Sequence, residues 1–206
     1  MNSTKVLGIL LAGGKSRRMG GGDKCLLNLG HKTILQHVID RAVPQVDRLL
    51  LNANGDPSRF HKYNLAISSD SIDGFAGPLA GVLTGLDWAI EHMPSCKWVV
   101  TFPTDTPFFP TDLVSRLFDS VSNGRGTLAC AASGFRNHPA FGIWPTHLRD
   151  DLKIALVDEG VRKVDEWTNR YNLNTVAFES NGIDPFFNVN RQEDLQLAEL
   201  HLKKND

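Results

Sequence analysis

Two stretches of the 206-residue sequence carry side chains suited to phosphate chemistry. The first, LLAGGKSRRMGGGDK (Leu10–Lys24), combines five glycines with the cations Lys15, Arg17, Arg18 and Lys24 directly after an apolar run. Glycine reaches positive φ and brings backbone N–H groups against phosphate oxygens, while arginine and lysine neutralise a triphosphate. The second, KWVVTFPTDTPFFP, sets Asp105 between prolines that keep the backbone out of helix just past another apolar run. A magnesium ion on substrate phosphates needs only one or two protein carboxylates, because phosphate oxygen and water complete its octahedron. Asp105 is therefore the candidate metal ligand. The competing reading is an Asx-turn ahead of Pro107, and for the glycine segment a solvated loop. Asp112 reads as a dipole-compensating residue in the first turn of the next helix.

Two common nucleotide motifs fail at the glycine segment. Gly14-Lys15-Ser16 ends as a P-loop would, but that pattern needs glycine where Ile9 stands, and Gly8 comes one place too early. No GxGxxG follows the strand either, so this loop must hold nucleotide in another way.

The elements that must position these residues alternate. Lys5–Leu11 reads as a buried strand stopped by glycines. Thr33–Val43 reads as a helix with Ile34, Leu35, Val38, Ile39, Ala42 and Val43 on one stripe. Strands are expected at Arg48–Asn52 and Leu65–Ser68. Gly77-Pro78 opens a further helix, buried through Leu79, Val82, Leu83, Leu86 and Ile90. Lys97–Phe102 is a strand, Pro110–Asp112 starts a helix carrying Leu113, Val114, Leu117 and Phe118, and Thr127–Ala132 is a strand. His138–Trp144 and Asn174–Glu179 read as strands and Arg191–Lys203 as a closing helix. Doubly apolar strands between amphipathic helices imply an α/β fold with a mostly parallel sheet covered on both sides. Ligands in such sheets bind beyond the strands' carboxyl ends. Asn52 and Asp70 fall there, and an amide beside a carboxylate suits a nucleobase such as guanine, although both types also favour turns.

Composition narrows the class. The net charge of −1 comes from interspersed acids and bases, which argues against a general nucleic-acid binder. Cys25, Cys96 and Cys130 lie far apart without a CxxC, against structural zinc or a disulfide scaffold and in favour of a reducing cytoplasm. No stretch approaches a membrane span, and the first strand is too short and too soon ended for a secretory core. With no linker or composition shift, residues 1–206 read as a single domain.

The order Leu11, Ala12, Gly13, Gly14, Ser16, Arg18, Met19, Gly20, Asp23 and Lys24 resembles the opening motif of the MobA-type nucleotidyltransferases. PTDTPFFP is similar to that family's P-x-DTPF-x-P, and Gly77-Pro78-Leu79-Ala80-Gly81 to the GPLAG of its guanylyl-transferring members. LNAN and SSDS resemble segments attributed to GTP binding, which carries that role to Asn52 and Asp70. Asn137-His138-Pro139 and Phe187-Asn188-Val189-Asn190 resemble segments on the pterin side, implying acceptor contacts for His138, Asn188 and Asn190, with Arg162 and Lys163 weaker candidates. The likeness runs from Lys5 to about Leu200 and is thinnest between Leu148 and Asn181.

The resemblance implies a three-layer, Rossmann-like nucleotidyltransferase fold with a mostly parallel, partly mixed sheet. It implies Mg2+-dependent transfer of GMP from GTP to molybdopterin with release of pyrophosphate. Leu11, Ala12, Gly13, Gly14, Gly77 and Pro78 would bind nucleotide. Lys24, with Arg18 in the same loop, would neutralise charge at the phosphates, and Asp105 would bind magnesium. Residues of about 5–105 would serve the nucleotide and about 106–200 the acceptor. Partners would be GTP, molybdopterin and, transiently, cofactor-biosynthesis proteins and apo-molybdoenzymes, with no nucleic acid and no membrane. The rivals are a sibling cytidylyl or sugar-1-phosphate transferase and a non-catalytic GTP-binding or cofactor-carrier module.

Overall fold

The computed structural model describes residues 4–12, 23–72, 74, 77–122, 124 and 126–205. Strand β1 (Lys5–Leu11) is buried from Val6 to Leu10 and takes an interior place in the sheet. A two-residue hairpin, β2 (Asn28–Leu29) with β3 (Lys32–Thr33), leads into α1 (Ile34–Ala42), capped by Thr33 Oγ1 accepting from Gln36 N–H at 3.2 Å. Strands β4 (Arg48–Asn52) and β5 (Ala66–Ser68) add in parallel on one side of β1, and β6 (Cys96–Pro103) in parallel on the other. Leu11 pairs with both Asn52 and Pro103, so these strands end on one edge.

Beyond β6 the chain mixes direction. Between β7 (Leu128–Ser133) and β8 (Arg136–Pro145) only Gly134 and Phe135 intervene, and a connection that short forces an antiparallel return. Gly134 supplies the left-handed φ of +54° such a turn requires. The last strand, β9 (Leu173–Phe178), runs parallel to β7. The resulting order is β5-β4-β1-β6-β8-β7-β9, in which β8 alone opposes its neighbours.

Alternation along the strands builds two cores. Val6, Leu10, Val100 and Phe102 face α1 and α3 (Leu113–Ser122). Leu7, Ile9, Val99 and Trp144 face α2 (Pro78–His92), α4 (Arg149–Val157) and α5 (Val164–Thr168). A third cluster packs α6 (Gln192–Asn205) against the hairpin through Leu29, Ile34, Phe108, Val189, Leu195 and Ala198. The chain is thus a three-layer α/β structure with a mostly parallel, partly mixed sheet.

Three expectations change. Val43 is half-exposed because a 3-10 turn, Val43–Gln45, rotates it off the α1 stripe. Ile90 is also half-exposed, lying near the end of α2 where the stripe has turned past the sheet. Asp112 precedes α3, its carbonyl accepting from Arg116 N–H at 3.1 Å, with its carboxylate 3.8 Å from the Arg116 guanidinium. Helices α4 and α5 lie in the stretch where the sequence pattern was least regular.

Candidate active site

Leu11, Asn52 and Asp105 lie along one rim of the sheet, at or just past the carboxyl ends of β1, β4 and β6, and His138 near the start of β8 pairs with Ala131 close to the end of β7. Loop Thr104–Thr106 is fastened to the end of β1, since Thr104 Oγ1 donates to Leu11 O at 3.1 Å. Thr106 is fully buried, its Oγ1 2.7 Å from Asn188 Oδ1 and 3.2 Å from Asp105 Oδ1, with one hydroxyl hydrogen shared between the two. These bonds leave Asp105 little freedom. Its Oδ2 accepts from Lys24 Nζ at 2.7 Å, and the same ammonium donates to Asn190 Oδ1 at 2.6 Å. The Lys24 and Asp105 side chains are 18% and 24% exposed, which keeps the pair open to solvent and to a ligand.

The segment Asp184–Asn190 straps this centre from outside. Val189 N–H donates to Asp105 O at 2.8 Å. Asn190 is itself held because Asp194, at the start of α6, accepts from the N–H groups of Asn190 and Arg191 at 2.8 Å each. Of the two asparagines expected on the acceptor side, Asn190 therefore bonds the lysine itself and Asn188 reaches the aspartate only through Thr106.

At the β4–β5 corner, Asn52 is 3% exposed and its amide donates to Asp70 Oδ1 at 2.9 Å. Asn54 donates to Asp70 Oδ2 at 2.7 Å and accepts from Asp70 N–H at 2.9 Å, closing a reciprocal pair. A carboxylate offers about four lone-pair directions, so Asp70 retains acceptor capacity toward a ligand. Ala12 N–H donates to Asn52 O at 2.9 Å, tying the end of β1 to the same corner. Gly77, at φ +145°, lets Pro78 take the first position of α2. A Cβ on Gly81 would stand 2.4 Å from Leu11 Cδ2 and 2.7 Å from Asn52 Oδ1, so any larger residue here would have to displace both side chains. Gly13, Gly14 and Arg18 lie outside the described residues.

Arg59, on the 3-10 stretch Pro57–Tyr63, joins the two ends of the rim. Its Nη2 donates to Asn54 O at 2.5 Å. Its Nε stands 2.8 Å from Asp23 Oδ2 as a charge contact, although the N–H is not aimed along it. His138, at the start of β8, is half-buried with Nε2 2.7 Å from Ser133 Oγ. Burial lowers its pKa below the ordinary value; Asp184 opposes that shift and Arg136 adds to it. Arg162 donates to the carbonyls of Leu156 and Val161, which makes it a fastener of the α4–α5 connection.

Arg59, Ser133 and Asp184 join the site without a motif of their own, while Asn54 and Thr106 lie within LNAN and PTDTPFFP beside the residues named there. Asn54 had one usable sign, its spacing of two from Asn52 in the same turn. Among the described residues no group of three or more His, Cys, Asp or Glu could hold a metal. A cation here would depend on Asp105 and a phosphate-bearing ligand together.

A family model for the MobA-like NTP transferase domain matches residues 8–172. A molybdenum cofactor guanylyltransferase of Bradyrhizobium sp. (strain ORS 278) is 50% identical over 96% of this chain and 93% of its own length. One of Mesorhizobium japonicum is 50% identical over 94% of each chain. The solved structure of molybdopterin-guanine dinucleotide biosynthesis protein A from Archaeoglobus fulgidus superposes with a TM-score of 0.74. It covers 96% of this chain and 99% of its own at 21% identity, a likeness of fold. A lysine and an aspartate meeting at the rim of such a sheet, a family model across most of the chain and relatives sharing half its residues lead to one assignment: the chain belongs to the MobA-like NTP transferase family.

Proposed function

We propose that this protein transfers GMP from GTP to molybdopterin, releasing pyrophosphate, a reading supported by relatives named molybdenum cofactor guanylyltransferase that share half its residues. The observation that carries the reading is the Lys24–Asp105 contact on the same rim as the Asn52–Asp70 pair. Asp70 and Asn52 receive the guanine, and the glycine-rich segment after β1 lies against the triphosphate. Lys24 turns its ammonium from Asp105 to the α-phosphate, where negative charge accumulates in the transition state. Asp105 offers a hard oxygen ligand of the kind magnesium takes beside phosphate oxygens, and the bound ion would neutralise charge on those oxygens. The terminal phosphate of molybdopterin, already an anion, attacks the α-phosphorus in line. A new phosphorus–oxygen bond forms as the bond to the bridging oxygen breaks, and the electron pair leaves with pyrophosphate. No side-chain nucleophile is required.

On this reading one domain serves both substrates, residues of about 5–105 holding GTP and about 106–200 the acceptor, and the enzyme works in the cytoplasm. Cofactor-biosynthesis proteins and apo-molybdoenzymes would meet the acceptor half. The test is pyrophosphate release with magnesium, molybdopterin and each of the four nucleoside triphosphates. GTP alone should support turnover. Preference for CTP or UTP would replace the reading with a sibling transfer, and GTP binding without product with a carrier role.

A further inference from the structure

A second polar cluster on the rim lies outside the nucleotide chemistry. Ser133, the last residue of β7, is 4% exposed. Its Oγ lies 2.7 Å from His138 Nε2 and 2.8 Å from Asp184 Oδ1. Asp184 Oδ1 also accepts from Phe186 N–H at 2.9 Å, and the Phe186 ring lies against the imidazole with centroids 4.6 Å apart.

Counting hydrogens fixes the direction of each bond. A carboxylate has none to give, so the Ser133 hydroxyl donates to Asp184 and turns a lone pair toward the imidazole. Nε2 must then carry the hydrogen. With its pKa lowered by burial, the ring is neutral near pH 7 and bears a lone pair on Nδ1. Among the described residues no group bonds Nδ1.

The cluster is also mechanically joined to the reaction centre. Asp184 begins the strap whose next polar residues, Asn188 and Asn190, bond Thr106 and Lys24. His138 thus stands at one end of a short segment whose other end is the Lys24–Asp105 pair.

We propose that Ser133 and Asp184 are positioning residues that lock His138 as its Nε2–H tautomer, so that Nδ1 accepts a hydrogen bond from an N–H of the acceptor's heterocycle. A pterin carries such donors in its ring amide and exocyclic amine. The inference rests on the GMP-transfer reading and adds to it the polarity of one acceptor contact.

Nitrogen-15 NMR of the histidine side chains in the full-length protein at pH 7 should show His138 as the neutral Nε2–H form. Ser133→Ala and Asp184→Ala should release the lock and give mixed tautomers. Asp184→Asn, which keeps an acceptor oxygen for Ser133 and Phe186, should restore it. His138→Phe, which removes the Nδ1 acceptor, should raise the KM for molybdopterin about tenfold, the effect of one lost hydrogen bond, whereas Ser133→Ala should raise it only in proportion to the share of His138 that leaves the Nε2–H form, about twofold for an even mixture, with the KM for GTP unmoved. An Nδ1–H or charged His138 in the wild-type protein overturns the inference even if the variants do not fold. So does an unchanged molybdopterin KM in a His138→Phe enzyme that still transfers GMP. Absence of GMP transfer by the wild-type protein fails the transferase reading instead, and is seen in a different assay.

Discussion

Lys24 Nζ lies 2.7 Å from Asp105 Oδ2, although 81 positions separate the two residues in the chain. Partly buried charges are costly when unpaired, and here each neutralises the other while both stay within reach of the rim. A triphosphate arriving with its cation would substitute for both partners at once, giving the lysine a phosphate and the carboxylate a metal. The pair is a resting state of the proposed machinery.

Replacing either member should remove transition-state stabilisation and leave the fold intact. Lys24→Ala and Asp105→Ala are each expected to lower GMP transfer by about 10² to 10³. Melting temperature should fall only modestly, because the remaining group, 18% or 24% exposed, takes up water in the space the other side chain leaves. Full GMP transfer by either variant removes that residue from the mechanism.

Gly81→Ala should damage both stability and nucleotide binding. Its Cβ would press on Leu11 and on the Asn52 amide oxygen, and overpacking of this kind costs about 1–3 kcal/mol. Gly85→Ala is the control. Its Cβ would meet Val99 Cγ1 at 3.0 Å and Ile9 Cδ1 at 3.1 Å, on core side chains away from the base corner. Thermal melts should show both variants destabilised, whereas GTP titration should be weakened only for Gly81→Ala.

Arg59 links Asp23, beside Lys24, to Asn54, beside Asp70, without belonging to either pair. Arg59→Ala should weaken GTP binding roughly fivefold, the equivalent of about 1 kcal/mol, by loosening both ends together. Arg59→Lys can recover one contact but not two, and should fall between. An unaltered GTP dissociation constant in Arg59→Ala would confine the residue to a surface role.

On the far side of the sheet, Asp151 accepts from Trp167 Nε1 at 2.8 Å and from the Tyr171 hydroxyl. Burial pushes its pKa upward, but these bonds and the charge of Arg170 outweigh that and hold it below the ordinary carboxylate value. A depressed folded-state pKa means stability present above the unfolded value of about 3.9 and lost as pH falls through the folded one. Chemical denaturation from pH 7 down to pH 2 should show that loss, and Asp151→Asn should flatten it. Asp151→Ala should cost about 1–3 kcal/mol at pH 7 by leaving the indole N–H without its acceptor.

The cysteines should resist thiol reagents in the folded protein. All three are buried; desolvation raises Cys25 to about 12 and Cys130 to about 11 and also pushes Cys96 upward. Labelling with a disulfide reagent at pH 8 should therefore track unfolding. Rapid reaction of Cys25, next to Lys24, in the native state would show that the corner opens.

The sequence conveyed most where one physical signal dominated. Doubly apolar runs such as Lys5–Leu11 and Arg48–Asn52 coincide with strands because the central strands are buried on both faces. Asp105 stood out as an acid just past a strand, with an Asx-turn as its rival, whereas Lys24 was one of four cations in the glycine segment and only the family resemblance singled it out. The mixed direction at β8 lay in the Gly134-Phe135 turn, too short to cross over. What stayed hidden depends on the third dimension. Arg59 is a surface-type residue in a polar stretch, and only the fold sets it between Asp23 and Asn54. Ser133 and Asp184, 51 positions apart, become partners only when β7 ends beside the strap. Helix α5, five residues long, is too brief for a periodic signal; burial of Val164, Trp167 and Thr168 defines it instead.

The strap at 184–190 also bears on how this scaffold could be altered. An engineer wishing to exchange the acceptor would naturally splice after β9 and import everything downstream. That splice would carry off Asn190, and with it a hydrogen-bond partner of the lysine in the other half. Chimeras joined there should inherit a disturbed phosphate centre along with their new guest, whereas a junction beyond Asn190 leaves Lys24's neighbours in place.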